Sequence, residues 1–130
     1  MKTTTTWKGA HAFQSEHEGN LIAVDGDKVK GHGPKALLLS GLAGCSGIDV
    51  VDILEKMRVE FADFSIEATA ELAEEHPKVF TGVEITYRMK TDPENEDKIK
   101  KAIELSLDKY CGVAAMLRKN SAVNYKLVIL

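Results

Sequence analysis

Ala36-Leu37-Leu38-Leu39-Ser40-Gly41-Leu42-Ala43-Gly44-Cys45-Ser46-Gly47-Ile48-Asp49-Val50-Val51-Asp52-Ile53-Leu54 is the one long apolar run of the chain. It is too long for a strand, and Pro34 stands before it, where a helix tolerates a proline because the first turn has unpaired N–H groups anyway. The spacing predicts a helix from Lys35 to about Arg58. Its residues are apolar nearly all round up to Leu54, which predicts burial on most sides. Asp49 and Asp52 are costly at bilayer depth, so the run reads as a core helix and not a membrane span. Gly41, Gly44 and Gly47 each cost a helix about 1 kcal/mol against alanine. Either close approach of another backbone or ligand, or simply tight packing, would offset that cost. A helix buried on most sides needs cover above and below, and one short chain covers one side well. A homodimer supplies the rest.

Outward from this helix the pattern changes to period two. Residues 3–13 alternate, with Thr3, Thr5, Trp7, Gly9, His11 and Phe13 on one side, and read as a strand. Ser15 to Asn20 reads as a turn, and Leu21 to Val24 as a second strand ending at Asp25-Gly26. After the helix, Phe64, Ile66, Ala68, Ala70 and Leu72 share one face, as do Val83, Ile85, Tyr87 and Met89. Glu74-Glu75-His76-Pro77-Lys78 connects the two runs. Asp92-Pro93 starts a helix whose stripe is Ile99, Ala102, Ile103 and Leu107. A break near Tyr110-Cys111-Gly112 leads to a short helix, and Val123 to Ile129 alternate as a last strand. The order predicts one α+β domain over residues 1–130, with a mostly antiparallel sheet and a long buried central helix.

Composition excludes several function classes. A net charge of -3 argues against a nucleic-acid partner, which needs clustered positive charge. The opening residues lack the apolar core of a secretory signal, and the chain's two cysteines make no disulfide framework. A reducing cytoplasm is the expected location, with no membrane association. His11, His17, His32 and His76 lack metal-ligand spacing, so no metal is expected. No phosphate loop, dinucleotide fingerprint or nucleophile elbow is present, so no cofactor is expected.

The chemistry-bearing residues are Cys45 and Cys111. Read bare, each is either core filler or half of a dithiol. Cys45 lies mid-helix, where the helix dipole does little. Asp49 is one turn on and would raise a thiol pKa, while Ser46 is adjacent but faces elsewhere. Cys111 falls at a helix start, where free N–H groups favour thiolate. A cation near Cys45 would have to come from the fold, and His17 and Lys35 are the expected sources.

Pro34 through Ala43-Gly44-Cys45 and on through Cys45-Ser46-Gly47-Ile48-Asp49-Val50-Val51-Asp52-Ile53-Leu54 resembles the central-helix signature of the OsmC/Ohr family, in its YhfA-like branch. Asp108-Lys109-Tyr110-Cys111-Gly112-Val113-Ala114-Ala115-Met116-Leu117 is similar to the second cysteine segment of that branch. The resemblance implies an OsmC-like fold, an intertwined homodimer and sites at the subunit interface. It further implies that Cys45 attacks an organic hydroperoxide and Cys111 resolves the product as a disulfide, recycled by a cytoplasmic dithiol reductant. The sequence departs from the peroxidase pattern twice. No arginine precedes Arg58, and Lys35 stands where those members carry a glutamate. A dimer of the same fold that binds a small hydrophobic molecule without catalysis is the alternative.

Overall fold

The computed structural model describes all residues, 1–130. The chain divides into two compact units, Met1–Leu38 and Leu39–Leu130.

In the first unit, β1 (Thr4–Gly9), β2 (Ala12–His17) and β3 (Asn20–Asp25) form an antiparallel meander in the order β1-β2-β3. This corrects the expected two-stranded hairpin. The run 3–13 breaks because Gly9 and Ala10 both take positive φ (111° and 46°), reversing the chain between Gly9 and its partner Ala12. The second reversal is tighter than the Ser15–Asn20 turn expected. His17 pairs with Asn20 across Glu18-Gly19, both at positive φ (49° and 82°), as a two-residue hairpin loop requires. Alternation alone hid these turns, since a strand period continues through a tight turn whose residues are small or polar. Trp7 is exposed, and its indole N–H donates to the Ala10 carbonyl at 2.9 Å. Beyond β3, Gly31 passes so close to Ala23 that a Cβ would lie 2.5 Å from the Ala23 carbonyl oxygen.

α1 (Pro34–Lys56) matches the predicted helix within two residues. Within the chain, however, only Leu42, Ser46, Val50 and Leu54 are fully buried, a single i, i+4 stripe. Leu38 and Ile48 are exposed. The expected burial on most sides is therefore not met within one chain, because the elements packed on α1 cover one face. By length and mean hydropathy, 1.7, α1 is the kind of helix that crosses a membrane, but that buried stripe is held by the protein's own core.

The second unit's sheet has the order β4-β5-β6, with β4 (Ala62–Leu72) antiparallel to β5 (Phe80–Lys90) and β6 (Val123–Ile129) parallel to β5. A parallel neighbour needs a long crossover, supplied here by α2 (Glu96–Leu105), a π-helical segment (Ser106–Tyr110) and α3 (Gly112–Arg118). Antiparallel pairing thus dominates the two sheets, with β5–β6 the parallel exception. Val83, Ile85, Tyr87 and Met89 of β5 are buried as their alternation predicts, against Leu42, Val50 and Leu54 of α1 and Ile99, Ala102 and Ile103 of α2. Each such aliphatic side chain contributes about 1.5–3 kcal/mol by leaving water. Asp92 caps the segment before α2, accepting the Glu94 N–H at 2.9 Å, with Pro93 at the first helical position.

Candidate functional site

Three neighbouring elements build the site: α1, β5, and the crossover at its π-helical segment. Cys45 sits on the flank of the buried stripe of α1, half-buried. Cys111 is buried, 3% exposed, at the junction between the π-helical segment and α3. The two thiols are free, and Cys45 lies near enough to Cys111 to raise its titration. Residues distant in sequence thus share one site, because the crossover folds back on the helix that carries Cys45.

The predicted helix start at Cys111 is present. Cys111 is the N-cap of α3, in extended conformation, and its Sγ accepts the Ala114 N–H at 3.3 Å. The expected thiolate is not favoured there. Burial pushes the Cys111 thiol up to about 11; the Ala114 N–H pulls it down, and the Cys45 thiol and Asp49 carboxylate add to the rise. Desolvation outweighs one N–H donor because a buried thiolate loses its water shell altogether.

Beneath the thiols lies a polar cluster in the core. Ser106 Oγ is 2.9 Å from Asp49 Oδ2 and 2.9 Å from Ser46 Oγ, and Ser46 Oγ is 2.6 Å from Tyr87 Oη. A carboxylate only accepts, so the single hydroxyl proton of Ser106 goes to Asp49. By count, Ser46 then donates to Ser106 and Tyr87 to Ser46. Ser46, Tyr87 and Ser106 are fully buried. Burial pushes the Tyr87 hydroxyl up to about 12, which keeps it a donor. As expected, Ser46 does not face the thiol: one residue of helix turns it from Cys45 to the core.

Asp49, expected to act on the thiols, faces this cluster and raises the Cys111 thiol. His17 is engaged within the first unit, with Nδ1 2.8 Å from the Lys2 carbonyl and Nε2 3.7 Å from Glu18. Lys35 is exposed on the first turn of α1. The sequence reading missed Arg118. Its guanidinium donates to the Leu107 carbonyl (2.7 Å), the Asp108 carboxylate (3.0 Å) and the Val123 carbonyl (3.3 Å), clasping the crossover beside the site. It also draws down the Tyr87 hydroxyl against the larger effect of burial. Its sequence signal was weak, a lone arginine in the last turn of a short helix.

The α1 glycines divide. A Cβ on Gly47 would sit 3.0 Å from Ile66 Cδ1, so this glycine admits β4, while at Gly41 and Gly44 a Cβ meets nothing within the chain. Gly44 and Gly47 border an open groove of about 510 Å³ with Ala43, Ile48, Val51 and Phe64.

A family model described as OsmC-like protein matches residues 25–126. The chain is 33% identical to Protein YhfA of Escherichia coli K12 over 132 aligned positions, covering 98% of each. A hypothetical protein from Aquifex aeolicus superposes with TM-score 0.84 at 28% identity, covering 99% of this chain and 96% of the other. The organic hydroperoxide resistance protein OsmC of Legionella pneumophila shares the fold, with TM-score 0.71, 17% identity and 99% and 98% coverage.

Proposed function

Because the chain belongs to the OsmC-like family, we propose that it is a thiol-dependent reductase of organic hydroperoxides, with Cys45 as the attacking thiol and Cys111 as the resolving one. The observation that carries the reading is that Ser106, whose carbonyl holds the Cys111 N–H, bonds to Ser46 and Asp49 beside Cys45, which brings the two free thiols to one place. Cys45 is the more accessible of the two, and Cys111 is buried with its thiol pushed up to about 11, which suits a group that reacts second. The Cys45 thiolate attacks the terminal peroxide oxygen; an S–O bond forms, the O–O bond breaks, and the alcohol leaves with a proton. The Cys111 sulfur then attacks the sulfenic sulfur. An S–S bond forms, S–O breaks, and the Cys111 proton leaves with hydroxide as water. An external dithiol, cytoplasmic by this reading, returns two electrons and two protons.

The active form is a homodimer in which a second copy covers the exposed side of α1, where Leu38 and Ile48 are open to solvent. A second reading, a dimer of the same fold that binds a small hydrophobic molecule, draws on the absence of any arginine before Arg58. Comparison of Cys45→Ser and Cys111→Ser for single-turnover consumption of cumene hydroperoxide separates them. Cys45→Ser should abolish consumption, while Cys111→Ser should keep the first turnover and accumulate a sulfenic acid. The reverse pattern exchanges the roles. An inert wild-type protein leaves the binding reading.

A further inference from the structure

We propose that Ser106 is the positioning residue of the thiol pair, the pin that holds the Cys111 segment in register against the Cys45 helix. This rests on the redox reading above and concerns what makes the pair work. Ser106 is fully buried and acts in two directions. Its hydroxyl engages α1 at Asp49 and Ser46, both at 2.9 Å, on either side of the helix turn that follows Cys45. Its carbonyl accepts the Cys111 N–H at 2.7 Å, the i+5 bond that makes this segment a π-helix. One residue therefore bonds to the helix carrying one thiol and to the backbone of the other.

The same segment is clasped by Arg118 at the next two residues, Leu107 and Asp108. A π-helical bulge is rare and costs hydrogen-bond geometry, and here it shifts the chain so that Cys111 leaves the helical path and caps α3. A core would be as stable with apolar groups of the same volume in place of this cluster. What apolar packing does not supply is a single register between α1 and the crossover. Two sulfurs that must bond need that register, because their effective concentration falls steeply with small displacements.

The test is the thiol–disulfide equilibrium of the folded protein against oxidised dithiothreitol. Cys45 and Cys111 each lose a proton and together two electrons, an S–S bond forms between them, and the reagent's own S–S bond breaks to give its dithiol. Ser106→Ala should move this equilibrium toward the reduced protein by about fivefold or more. Asp49→Asn keeps an acceptor for Ser106 and should stay within about twofold of wild type. Val50→Ala, a purely packing change on the same buried stripe, should lower the melting temperature without moving the equilibrium. An unmoved equilibrium in folded Ser106→Ala overturns the proposal, and so does an equal shift in Val50→Ala. If Ser106→Ala does not fold, the double variant Ser46→Ala/Asp49→Ala removes both partners of the Ser106 hydroxyl and is read in the same way. A wild-type protein that forms no Cys45–Cys111 disulfide overturns the redox reading and this inference with it; a wild-type disulfide indifferent to Ser106 overturns the inference alone.

Discussion

At the scale of the residue, the two cysteines are chemically distinct because their surroundings differ, not because of their neighbours in sequence. The helix-start position of Cys111 is real, with the Ala114 N–H on its sulfur, and burial still dominates. Thiolate at Cys111 should therefore be scarce at pH 8, about a thousandth of the population for a group that titrates near 11. Iodoacetamide under reducing conditions should label Cys45 first, and labelling of Cys111 should accelerate about tenfold per pH unit between pH 8 and 10. Equal rates at pH 8, resolved by peptide mass mapping, would contradict this. The linkage runs in the matching direction. The folded value lies above the ordinary 9.0, so the native state holds its proton longer than the unfolded chain. The stability this contributes is full below pH 9 and declines as pH rises toward 11. Replacing Asp49 by Asn should bring the Cys111 titration down, since the carboxylate helps to raise it.

At the scale of the element, caps and most turns were readable, and the first reversal and the π-helical segment were not. Asp92-Pro93 starts its helix because an aspartate accepts an N–H and a proline has none to leave unpaired. Asp92→Ala should cost about 1 kcal/mol in urea unfolding with an unchanged slope against denaturant. A change within about 0.3 kcal/mol would show that Pro93 alone holds the start. The β1–β2 reversal escaped notice because its signal is one glycine and one alanine at positive φ inside an unbroken polar-apolar alternation. The π-helical segment escaped for a different reason. Ser106 to Tyr110 carries no composition that distinguishes an i+5 bond from an i+4 bond, and the bulge is set by what Ser106 and Arg118 bond to.

At the scale of the whole molecule, α1 carries the contact of the proposed homodimer. Its open side carries Leu38 and Ile48, and Gly41 and Gly44, whose missing side chains meet nothing within the chain. In an isolated chain Gly44→Ala would stabilise the helix by about 1 kcal/mol. In the proposed homodimer the same methyl enters the contact with the second copy. Sedimentation at micromolar concentration should show a dimer for the wild type and weaker self-association for Gly44→Ala. A folded wild-type monomer would sink the dimer, and a Gly44→Ala variant that is more stable and equally dimeric would place the contact elsewhere.

The sequence by itself determined where the chain is helical or extended, which faces of β5 and α2 are apolar, and that Cys45 and Cys111 are the residues to watch. These follow from periods of two and 3.6 and from capping chemistry, all local in the chain. Its two cysteine segments also carried enough identity to name the family that residues 25–126 match. Only the tertiary structure decided that the two cysteine segments pack together, that Ser46, Ser106 and Tyr87 form a buried chain ending on Asp49, and that burial raises the Cys111 thiol. Contact and desolvation depend on which distant segments fold over a residue. No local pattern encodes the π-helical offset that brings Cys111 to α1, so the chemistry of this pair is a property of the packed crossover.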